Sequence, residues 1–71
     1  MTDVLDCINF NQVSDKTRIT ILDHSGYPLA YGNWFQDQIL TYHEAEVIEM
    51  KYYPLDNRLF LRIRGSLSDY E

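Results

Sequence analysis

The most constraining feature of this 71-residue chain is a pair of segments whose alignment satisfies both of their faces at once. Residues 46–53 and 58–64 read as β-strands joined by Pro54, Leu55, Asp56 and Asn57. Placing Tyr53 opposite Arg58 pairs Tyr52 with Leu59, Met50 with Leu61 and Ile48 with Ile63 on one face. The other face then sets Lys51 beside Phe60 and Glu49 beside Arg62, a cation–π contact and an opposite-charge pair worth about 0.2–1 kcal/mol each. A second hairpin is written earlier. Residues 17–22 alternate β-branched positions, Asp23 to Gly26 carry turn chemistry, and residues 27–31 return. Pairing Asp23 with Tyr27 places Ile21 opposite Leu29 and Ile19 opposite Tyr31. Pro28 removes a donor and so belongs at an edge or a bulge, and Gly32 makes a bend.

Ahead of the hairpins, residues 3–9 predict a short helix with Asp3 as N-cap and Asp6 three positions on. Val4, Leu5 and Ile8 fall on its apolar face, with Cys7 at the edge. Two turns are unstable alone, so this helix must pack on the sheet. Between the hairpins, residues 36–43 lack β alternation and read as a helical turn or structured loop. The expected fold is therefore α+β: a short N-terminal helix packed on a four-stranded, mainly antiparallel sheet of two β-hairpins. Residues 1–65 form its single domain, and 66–71 a short polar C-terminal tail.

A hydrophobic fraction of 45% belongs to a globular chain rather than a disordered one. No run approaches the ~20 apolar residues of a membrane span, and no signal peptide is expected. A domain this small buries only ~60% of its unfolded surface, so disulfides, metals or association usually supplement its core. With one cysteine, Cys7, an internal disulfide is excluded, and a lone reduced thiol fits a cytoplasmic location. Cys7, His24 and His43 lack metal-ligand spacing, so no metal or other cofactor is expected. Homo-oligomerisation or docking on a partner remains as the supplement.

Catalytic readings fail on spacing. Asp23, His24 and Ser25 are the residue types of a hydrolase triad, but neighbours in a turn point in different directions, and local backbone hydrogen bonds explain them better. Cys7 reads as a buried structural thiol rather than half of a pair with His43. Gly26, Gly32 and Gly65 are isolated and make no phosphate loop. The chain is expected not to be an enzyme.

Eleven acidic against six basic residues, a net charge of -5, argue against nucleic acid and an anionic membrane as partners. They favour a protein with a basic surface. Ten aromatic rings in so small a chain cannot all be hidden, and exposed Tyr and Trp are common interface anchors. Trp34 with one neighbour is expected inside the core. The expected contact set is Tyr31, Trp34 and Tyr42 as anchors, with Asp37, Glu44, Glu46 and Glu49 meeting a basic partner. The acidic run from His43 to Glu49 reads as a solvated edge or contact surface rather than a metal site. One alternative is nucleic-acid binding through Arg58, Phe60, Arg62 and Arg64, which Glu49 would oppose by neutralising Arg62. The other is a self-associating accessory protein.

The run Lys16 to Gly26, followed by Leu29, Gly32 and a late hairpin from Val47, resembles an outline shared by short, mostly uncharacterised proteins. These are encoded by phages and mobile elements of Gram-positive bacteria. Leu22 makes the spacing one residue longer than that outline. The resemblance implies no catalytic residues. It implies a small phage-borne binding protein in the cytoplasm of a host bacterium, where such proteins often block host defence machinery, as anti-CRISPR inhibitors do. The combined expectation is a protein-binding inhibitor of a host nucleic-acid-handling protein.

Overall fold

The computed structural model describes residues 2–11 and 13–65; the tail expected at 66–71 lies outside them. Helix α1 spans Val4–Phe10, strand β1 Arg18–Leu22, strand β2 Pro28–Gly32, the single turn α2 Asp37–Leu40, strand β3 Val47–Tyr53 and strand β4 Arg58–Ile63. The capping expectation for α1 holds fully. Asp3 accepts from the Asp6 backbone N–H at 2.8 Å, and the Asp6 carboxylate accepts from the Asp3 backbone in return. The helix runs one residue later than expected, and its inward face is Val4, Cys7 and Ile8, with Leu5 turned out to 40% exposure.

The four strands form one sheet in the order β2-β1-β4-β3. Both hairpins are antiparallel, but they join through a parallel β1–β4 pair that sets Ile19 beside Leu59 and Ile21 beside Leu61. The sheet is thus mixed: two of its three strand pairs are antiparallel, as expected, and the join between the hairpins is parallel. The two strands with the cleanest apolar alternation take the centre, since they have most to bury. The edges go to β2, which begins at Pro28, and to β3, which carries Glu49 and Lys51.

Register holds where the turns hold. Tyr53 to Glu49 pair with Arg58 to Arg62 as expected, through Asn57 in the left-handed region at φ 53°. A bulge then sets Val47, not Ile48, opposite Ile63, and leaves Ile48 42% exposed. In the first hairpin the Asp23 N–H does bond the Tyr27 carbonyl, at 2.8 Å. A bulge between Ile21 and Leu22 then shifts the ladder by one, so Ile21 faces Ala30 and Ile19 faces Gly32. Gly26 closes the turn at φ +90°, a conformation that L side chains rarely adopt.

The core lies on one side of the sheet. Ile19, Ile21, Leu59, Leu61 and Ile63 pack with Val4, Cys7 and Ile8 of α1, and with Ile39, Tyr42 and Ala45 from the connection between hairpins. That connection is pinned locally. The Gln36 side chain accepts from the Asn33 backbone at 2.7 Å, and Gln38 donates to the Tyr31 carbonyl at 3.2 Å. Both amides sit over Gly32, where a β-carbon would collide with Gln36 Oε1 and stand 2.7 Å from Gln38 Nε2.

Candidate binding surface

Since both helices and the connection share the core side, the other face of the sheet is covered by none of the described elements. The burial alternation of β4 turns Arg58, Phe60 and Arg62 toward that face. The cross-strand registers assign its remaining members. One row is Arg18, Arg58 and Tyr53; the next is Tyr31, Thr20, Phe60 and Lys51; the third is Leu22, Arg62 and Glu49. Four of the chain's six basic residues are gathered here with one carboxylate, although the whole chain carries -5.

The electrostatics within the face are uneven. Glu49 lies 3.5 Å from Arg62 Nε, which otherwise lacks a hydrogen-bond partner, while Arg62 Nη1 donates to the His24 carbonyl at 3.2 Å. Arg62 is thereby largely neutralised. Arg18, Arg58 and Lys51 have no carboxylate within 4.0 Å among the described residues. Arg18 and Arg58 are direct partners in the parallel register, a like-charge juxtaposition that costs stability unless an anion joins it.

Rings are interleaved with these cations. Tyr31 is 54% exposed and its hydroxyl accepts from Arg18 Nη1 at 3.2 Å. Tyr53 is 45% exposed and meets Phe60 edge to face, with centroids 5.8 Å apart. Between Tyr53, Phe60, Lys51, Leu22, Glu49 and Arg62 lies a shallow depression of about 240 Å³.

The contact set expected from the sequence does not converge on one patch. Tyr31 and Glu49 lie on the uncovered sheet face. Tyr42 is 5% exposed inside the core, which corrects its assignment as a contact anchor. Trp34 stays 37% exposed in the turn after β2, donating to Asp15 at 3.0 Å and packing edge to face on Phe35. Asp37 begins α2, exposed. Glu44 is exposed with its carboxylate 3.7 Å from His43, and Glu46 is tied to Arg64. The acidic residues are thus dispersed or paired. Of the alternative set, Arg58, Phe60 and Arg62 share the open face, while Arg64 is engaged with Glu46 beyond the end of β4. Sequence reasoning left Arg18, Lys51 and Tyr53 out of that set. The alternation of β1 and β3 could have suggested their side, but only the parallel β1–β4 docking brings Arg18 to Arg58.

Asp23, His24 and Ser25 form no triad. The Asp23 carboxylate accepts from the backbone N–H groups of Ser25 and Tyr27, each at 2.8 Å, and His24 Nδ1 lies 3.1 Å from the Gly65 carbonyl. Burial pushes the Cys7 thiol above its ordinary range, with the Asp6 and then the Asp3 carboxylates adding to the effect. Such a thiol is a poor nucleophile. Among the described residues no cluster of three or more His, Cys, Asp or Glu could hold a metal ion. No helix among them is long and apolar enough to cross a membrane. The chain matches no protein-family model, no curated protein and no solved structure.

Proposed function

We propose that this chain is a non-enzymatic binding module whose working surface is the uncovered face of its sheet, and that its partner is anionic there. The observation that carries this reading is the charge segregation. Among the described residues Arg18, Arg58 and Lys51 stand without carboxylate partners on one face of a chain whose net charge is -5. Fixed like charges on a rigid sheet gain most from a multivalent anion, because the scaffold has already met the cost of ordering them. Association of two copies through this same face is disfavoured, since it would set cations against cations.

Immobilised heparin tests the reading. Despite its net negative charge, the protein is expected to be retained at low salt and released as salt rises. Arg18→Glu/Arg58→Glu should pass straight through while keeping an unchanged unfolding transition. Passage of the unaltered protein through the column at low salt would sink the proposal.

A second reading keeps the phage-inhibitor expectation, and the exposed Trp34–Phe35 pair favours it. This apolar knuckle stands beside Asp15 and Asp37, the make-up of an anchor for a basic protein surface. It predicts that the immobilised protein captures a basic host protein from nuclease-treated lysate and that Trp34→Ala/Asp37→Lys does not. Equal capture by both would remove it.

A further inference from the structure

We infer that the uncovered sheet face takes single-stranded nucleic acid, its rings stacking on unpaired bases and its cations following the phosphates; this rests on that face being the working surface. Charge alone fits any polyanion. The rings narrow the choice. Tyr31 on β2 and the Tyr53–Phe60 pair across β3 and β4 form two aromatic stations. Between them runs β1, with the small Thr20 in the same row, so the stations stand about 10 Å apart, two strand spacings. Both tyrosines expose about half of their surface, at 54% and 45%, although the core on the other side buries Tyr42. An acidic peptide offers carboxylates to such a face but no planar surface to the rings. An unpaired nucleotide offers both a phosphate and a π-face.

Cations are placed where a backbone passing over the rings would need them. Arg18 and Arg58 border both stations at one end of the strands, and Lys51 shares the row of Phe60. The Arg18 bond to the Tyr31 hydroxyl couples one cation to one ring. Stacked duplex bases present no free π-face to a sheet, so a duplex could use only the cations. The remainder of the molecule is strongly acidic, with Asp3 of the α1 cap bridged to Glu46 beside the start of β3. Physiological salt, with a Debye length of about 8 Å, screens repulsion from carboxylates farther from the face than that.

The test is fluorescence anisotropy with a short labelled oligothymidylate, against a duplex of equal length and polyglutamate as competitors. The single strand is expected to bind best, with a log–log salt slope of about -2 to -3 for three or four phosphate contacts. Tyr31→Ala and Tyr53→Ala should each weaken it about tenfold. Both side chains are half exposed, and unchanged unfolding transitions establish that the variants fold. Equal affinity for the duplex or for polyglutamate, or indifference to both tyrosine substitutions, overturns the inference. Heparin retention without oligothymidylate binding overturns it too, while leaving the anionic-partner reading standing. Failure on heparin as well removes both.

Discussion

Leu61→Ala should cost about 2–5 kcal/mol of unfolding free energy, read as a lowered urea midpoint at constant slope. Leu61 has no exposed surface and sits on the central strand β4, flanked in register by Ile21 and Met50. Truncation removes its transfer free energy and leaves a cavity that the paired strands on either side cannot collapse. At roughly 0.05–0.15 kcal/mol per residue, a domain of this size is worth only about 4–10 kcal/mol, so the loss brings it close to unfolding. Leu5→Ala, at a position 40% exposed, is the matched control and should change stability by less than about 1 kcal/mol. Similar losses at both positions would contradict the one-sided core.

Tyr42→Ala should be comparably severe, about 3–5 kcal/mol. Tyr42 packs with Ile39 and Ala45 directly after α2 and supplies the large core ring that Trp34 does not. If Tyr42 were instead a contact anchor, its removal would spare stability and weaken association alone. Denaturant unfolding separates the two. Trp34→Ala belongs in the same series and should cost clearly less, because the residue is 37% exposed. A larger loss at Trp34 than at Tyr42 would return the tryptophan to the core.

Local chemistry made most of the elements legible. The Asp3–Asp6 cap, the Asp23–Gly26 turn and most of the second hairpin's register follow from residues within a few positions of one another. Their hydrogen bonds need no distant partner. The errors begin where short-range rules end. Bulges at Ile21/Leu22 and Val47/Glu49 shift the ladders because the strands must bend over a core formed by other segments. The choice between Tyr42 and Trp34 was equally out of reach. Both rings flank the same turn, and volume in the assembled core selects between them.

The candidate surface follows the same division. Alternation along β4 alone put Arg58, Phe60 and Arg62 on one side. Net charge pointed the other way, toward an acidic contact set, because a sum over the chain carries no information about position. The sequence by itself determined two hairpins, a capped helix and the sidedness of each strand, since these depend on backbone periodicity and neighbouring side chains. Only the tertiary structure decided that β1 docks parallel to β4, with α1 and α2 packed on the same side. That docking is driven by burial of Ile19, Ile21, Leu59 and Leu61. The cations on the opposite face come together as its consequence, because every strand that buries one set of alternate residues must present the other.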